Sequence, residues 1–94
     1  MTAPSDRHYR KPSLVDLQPL DEKLVVLHLG NNAYYELNGS ARFFLENAVS
    51  GIPFARIVER AVAEYDADAD TLRADFARLA AELVSLGILE DADA

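Results

Sequence analysis

Residues 34–44 read YYELNGSARFF, a strand-like run that meets Asn-Gly-Ser and turns at once into a helix-like one. Extended by Ala33, the first part is AYYEL, in which alternation puts Ala33, Tyr35 and Leu37 on one face and Tyr34 and Glu36 on the other. Tyr35 and Leu37 are expected to face the core. Asn38 marks the boundary, because its side chain can accept hydrogen bonds from the free N–H groups of a starting helix while its backbone stays extended. Beyond it, Ala41, Phe44, Leu45 and Ala48 fall at i, i+3, i+4 and i+7, one apolar stripe, with Phe43 beside it and Gly51 as the stop.

Upstream, SLVDLQ (13–18) and KLVVLHL (23–29) are two further strand-like runs rich in Val and Leu, separated by PLDE, whose proline and acids suit a turn. Gly30-Asn31-Asn32 can supply the positive backbone angles of a tight hairpin. The three runs predict an antiparallel meander with AYYEL last. The opening MTAPSDRHYRKP has two prolines and no apolar periodicity, so residues 1–11 are expected to be a mobile arm, followed by one folded domain over 12–89 and a polar tail over 90–94.

Downstream, Pro53 suits a first-turn position of a second helix, FARIVERAVAEY, in which Phe54, Ile57, Val58, Ala61, Val62 and Tyr65 keep the helical period. Asp-Ala-Asp-Ala-Asp (66–70) reads as an acidic turn whose last member, Asp70, caps a third helix. That helix, TLRADFARLAAELVSL, spaces Leu72, Phe76, Leu79, Leu83 and Leu86 by 4, 3, 4 and 3 residues, which marks a core stripe. Gly87 stands where a left-handed cap residue belongs, and Ile88 can fold back onto Leu83. The order β-β-β-α-α-α predicts an α+β fold of winged-helix type.

Composition narrows the function classes. Ninety-four residues can close one core. No apolar run is long enough for a membrane span, and the expected location is the cytoplasm. There is no cysteine, and the two histidines, His8 and His28, show no metal-binding spacing, so neither metal nor cofactor is expected. Catalysis has little support, since no nucleophile, base and orienting acid can be assembled. The acidic run 66–70 lacks the glycine and final glutamate of a calcium loop. The net charge is −7, and because residues 1–11 hold three cations against one acid, the remainder carries −9. Phosphate contacts need clustered Lys and Arg, so this balance argues against nucleic acid and favours a basic or apolar peptide.

In the order of its elements, residues 13–89 resemble the PqqD-like family of precursor peptide recognition elements, the RRE domains of ribosomally synthesised, post-translationally modified peptide pathways. The resemblance rests on YYELN with Ala41 three residues after Asn38, Gly51 closing the first helix, Ile57-Val58, Tyr65-Asp66, Asp75-Phe76, Leu83 and Gly87-Ile88-Leu89. Ser40 departs from the Thr often found there, and Asn31-Asn32 only says that the hairpin differs. The resemblance implies a non-catalytic protein that binds the leader segment of a precursor peptide as an added strand on the third strand. It would present that peptide to a modifying enzyme, with radical SAM enzymes and leader peptidases the usual partners.

For this chain the implied peptide-binding residues are Ala33, Tyr34, Tyr35, Glu36 and Leu37 on the strand. With Phe76 as the core direction and 100° per residue, Arg73, Ala77, Ala80 and Val84 form a flank of helix three that is expected to wall the groove. Blander readings stand beside these: Tyr34 and Tyr35 are also ordinary strand aromatics, Arg73 can simply be a solvated charge, and His28 a half-exposed strand residue. A winged-helix DNA-binding protein is the alternative function, although Arg73 and Arg78 face Asp70, Asp75 and Glu82 on the would-be recognition helix. A third class is an interaction subunit using the strand edge on itself, as a monomer or weak dimer.

Overall fold

The computed structural model describes residues 7–92. Its elements run β1 (Tyr9–Arg10), β2 (Val15–Leu20), β3 (Lys23–His28), β4 (Ala33–Leu37), α1 (Gly39–Val49), α2 (Phe54–Tyr65), α3 (Ala69–Ser85) and β5 (Glu90–Asp91). β2, β3 and β4 form an antiparallel sheet in sequence order, and three helices follow it. The α+β fold and the meander are as the sequence implies.

Register places Leu17 opposite Val26 and Val26 opposite Tyr35, with Leu24 opposite Leu37. These side chains share the face that meets the helices. Leu24 and Val26 are fully buried, while Leu17, Tyr35 and Leu37 are half-buried against the core. Tyr34 and Glu36 are exposed, as alternation requires. The β2–β3 turn is tighter than PLDE suggests. Pro19 and Leu20 belong to β2, and Asp21, in the left-handed region at φ 56°, makes the turn with Glu22. Arg42 of α1 donates from its guanidinium to the carbonyls of Asp21 at 2.9 Å and Lys23 at 3.0 Å, which fastens this turn to the helix layer.

The core is organised around Phe44, which is fully buried and touches an aromatic ring from each of three other elements: Tyr9 of β1 at 6.2 Å, Phe54 of α2 at 6.1 Å and Phe76 of α3 at 5.0 Å. Such tilted and edge-on pairs add to the area they bury. α3 ends in a Schellman motif: Ile88 N–H donates to the Leu83 carbonyl at 2.9 Å and Gly87 N–H to Val84 at 3.0 Å. Gly87 takes φ 78°, and Ile88 is fully buried.

Three expectations are corrected. Residues 1–6 lie outside the described residues, but from Arg7 onward the expected arm is part of the fold. Tyr9 is 5% exposed, and Tyr9–Arg10 pairs with Glu90–Asp91 of the expected tail. Arg7–Asp91 (3.1 Å) and Arg10–Glu90 (2.9 Å) ion pairs flank this clasp. Burial raises the Tyr9 phenol above its ordinary range. Asn38 has the extended backbone of a cap, yet its side chain makes no capping bond. The cap of α3 is Asp68 rather than Asp70; its carboxylate accepts from Thr71 N–H at 3.0 Å, which places Asp70 in the first turn instead.

Candidate functional site

A three-stranded sheet has two edges, and they differ here. The phase of the ladder decides which backbone groups face outward, because opposed residues in an antiparallel pair alternate between bonded and non-bonded. Leu29 N–H donates to the Leu14 carbonyl at 2.8 Å, so Leu29 and Leu14 are a bonded pair. From there Leu27 and Val25 direct their backbone groups to β2, while His28, Val26 and Leu24 direct theirs to β4. On β4, Ala33, Tyr35 and Leu37 therefore face β3. Tyr34 and Glu36 face outward, with two N–H and two C=O groups on the terminal edge of the sheet.

The opposite edge is blunted. On β2 the outward residues are Val15, Leu17 and Pro19 by the same alternation. Val15 N–H donates to the Pro12 carbonyl at 3.1 Å, and the Val15 carbonyl accepts from the Lys11 ammonium. Pro19 has no N–H to offer. A proline, a lysine and a self-satisfied end are the devices by which a sheet edge is closed to further strands. Among the described residues none of them is found on β4, which leaves β4 as the open edge of the sheet.

The side chains beside that edge are ordered. On the outer face the Tyr34 hydroxyl donates to the Glu36 carboxylate, and Lys23 lies 3.3 Å from the same group. The Tyr34 bond, and then Lys23, hold the Glu36 carboxyl below its ordinary range, and the same bond raises the Tyr34 phenol. On the inner face the wall consists of Tyr35 and Leu37, half-buried, with Ala33 at the hairpin end.

Helix α3 supplies two flanks, and the structure separates them. Arg73, Ala77, Ala80 and Val84 line two adjoining cavities that share Phe54 and Ala77. One, of about 340 Å³, takes its other walls from Arg7, Tyr9 and Asp91; the second, of about 570 Å³, takes them from Val58 and Val62 of α2. Neither contains a residue of β4. Ala80 is part of the core, 3% exposed, and reaches only the floor of the first cavity. The expected site thus divides: the strand residues lie together on the open edge, and the four helix residues turn toward α2 and the β1–β5 clasp. Leu79 and Leu86, seven residues apart and half-buried, occupy the opposite flank of α3. Its C-terminal end meets the sheet at His28, which pairs with Ala33 of β4. The sequence reading placed Leu79 and Leu86 in the core stripe; their partial exposure is what marks that flank.

Both cations on α3 are already paired, Arg73 with Asp70 at 2.7 Å and Arg78 with Asp75 at 3.0 Å. Among the described residues no cluster of three or more His, Cys, Asp or Glu could hold a metal ion, and no helix is long and apolar enough to cross a membrane.

Sheet order, a terminal β4 edge and a three-helix layer define a small sheet-and-helix module. The chain belongs to the family described as coenzyme PQQ synthesis protein D (PqqD), whose pattern matches residues 23–89. Two solved structures share the fold. TbiB1 in complex with the TbiA(beta) leader peptide is 25% identical, with a TM-score of 0.82 over 86% of this chain and 94% of that one. A lasso peptide synthetase B1 complexed with the leader peptide is 20% identical, with a TM-score of 0.82 over 88% of this chain and 98% of that one. No curated protein matches the chain.

Proposed function

We propose that this chain is a non-catalytic recognition element that binds the leader segment of a ribosomally synthesised precursor peptide and presents it to a modifying enzyme, a radical SAM enzyme or a leader peptidase, in the cytoplasm. The observation that carries this reading is the asymmetry of the sheet: β2 is closed by Lys11, Pro12 and Pro19, while β4 offers the backbone groups of Tyr34 and Glu36. The likeness to TbiB1, whose structure holds a leader peptide, supports it.

The leader lies along Ala33, Tyr34, Tyr35, Glu36 and Leu37 and bonds to the outward groups of Tyr34 and Glu36. Four such bonds at about 0.5–1.5 kcal/mol net each barely offset an association cost of roughly 4–15 kcal/mol. Apolar anchors in the leader complete the affinity at about 1.5–3 kcal/mol for each buried side chain. They drop from the added strand toward the inner wall of Tyr35 and Leu37 and the Leu79–Leu86 flank of α3. Arg73, Ala77 and Val84 stand apart from this groove.

DNA binding is disfavoured because Arg73 and Arg78 are neutralised within α3 and the folded body is acidic. Titration calorimetry with a synthetic leader segment of the precursor encoded beside this chain tests the proposal. One-to-one binding, lost when the apolar leader residues are changed to Ser, is expected. Absence of binding to that peptide, together with retention on heparin, would overturn it in favour of nucleic acid.

A further inference from the structure

The outward side of β4 is complementary to itself. A second copy laid antiparallel along it with Tyr35 on the two-fold axis sets Tyr34 opposite Glu36 of the other copy, and Glu36 opposite Tyr34. Since Tyr34 and Glu36 are the outward-facing residues, each of these is a bonded pair, and all four edge groups on both copies are used. No like charges oppose one another. The phenol of Tyr34, 57% exposed, meets a carboxylate across the interface, the same partner type it already has within its own strand. On the inner face the two Tyr35 rings meet at the axis, the aromatic cross-strand pairing that antiparallel ladders favour.

We infer that this chain forms an isologous dimer through β4, and that the dimer and the leader complex exclude one another because both consume the N–H and C=O groups of Tyr34 and Glu36. The exclusion rests on the reading of β4 as the leader's partner; the pairing itself does not. A dimer held by four short-strand bonds and two side-chain pairs is weak, so a leader with apolar anchors displaces it. The consequence is a peptide-free form whose sticky edge is covered and a peptide-bound form that is a monomer.

Sedimentation velocity from about 10 µM to about 1 mM protein tests this, alone and with the synthetic leader segment named above. Mass that rises with concentration and returns to that of a one-to-one complex on adding peptide is expected. Two substitutions at the exposed Tyr34 fix the register. Tyr34→Glu places a carboxylate opposite Glu36 of the second copy and should weaken the dimer by about 2- to 30-fold, whereas Tyr34→Lys should strengthen it. A monomer at every concentration, or equal effects of Glu and Lys, would overturn the dimer. A dimer that persists while peptide binds would overturn the exclusion and leave the leader reading standing. A dimer with no peptide binding at all would overturn the leader reading and the exclusion together.

Discussion

Gly87 lies so close to His28 that a Cβ placed on it would sit 2.9 Å from the imidazole Nε2. This contact is where the end of α3 meets the end of β3, and it sets how near the helix stands to the sheet. Gly87 is also in the left-handed region, at φ 78°. Two penalties therefore coincide, and Gly87→Ala should destabilise the protein by about 1–3 kcal/mol. Gly39, at φ 55° with open space around it, is the control in which only the backbone penalty applies. Urea unfolding of the two variants separates the terms; equal losses would mean that His28 simply moves aside.

Phe76 is buried against Phe44, the centre of the aromatic cluster, whereas Leu37 is only half-buried at the margin of the core. Phe76→Ala should lose about 3–5 kcal/mol, and Leu37→Ala less than about 2 kcal/mol. Thermal unfolding checks the order. A Leu37 variant as damaged as the Phe76 one would mean that β4 is held more tightly than its edge position implies.

Hydrogen bonds from the Thr71 backbone N–H and then the Thr71 hydroxyl hold the Asp68 carboxyl below its ordinary range. A carboxylate depressed in the folded state adds stability above its unfolded pKa, and that contribution is lost as pH falls through the folded value. The melting temperature should therefore fall on acidification in the wild type. In Asp68→Asn, which keeps a capping acceptor but cannot titrate, this part of the fall should be absent. Overlapping pH profiles for the two proteins would contradict the assignment of Asp68 as the cap.

Adjacent positions on β4 should respond in opposite ways to proline. The N–H of Glu36 faces outward, so Glu36→Pro removes no bond to β3, while Tyr35→Pro removes one that β3 needs. Circular dichroism should find Glu36→Pro folded and Tyr35→Pro largely unfolded. If both fold, or if only Tyr35→Pro does, the phase of the ladder has been misassigned.

Much of this was legible from local chemistry. The junction at Asn38 gave the strand-to-helix switch, the Leu72–Phe76–Leu83 spacing gave the buried face of α3, and Gly87-Ile88 gave its ending. What escaped was non-local or sub-periodic. A two-residue strand such as Tyr9–Arg10 has no alternation to detect, and its partner lies 80 residues away. Capping by Asn38 was an allowed bond that the side chain does not make. The alternating acids at 66, 68 and 70 are equivalent by composition, and only the helix start distinguishes Asp68. For the site, the open edge followed from strand order. The helical wall did not, because a stripe has two flanks and periodicity alone cannot say which neighbour each one meets.

The two α3 flanks give opposite expectations for binding. Ala77→Leu fills the cavity toward α2 and should leave affinity for the leader segment within about twofold, whereas Leu79→Glu puts a charge on the flank proposed to receive the leader anchors and should weaken it by roughly tenfold or more. Fluorescence anisotropy with labelled peptide distinguishes them. The reverse order would return the leader to the Arg73–Val84 flank.

Hydrogen exchange measured residue by residue, with and without the synthetic leader segment, tests strand addition most directly. At protein concentrations low enough for the chain to be monomeric, the amides of Tyr34 and Glu36 face solvent on the free edge and should exchange fast alone and be protected by at least about tenfold in the complex, while Tyr35, already bonded to β3, changes little. Protection confined to α2, the Ala77–Val84 flank or the β1–β5 clasp, with Tyr34 and Glu36 still exchanging fast, would contradict the account.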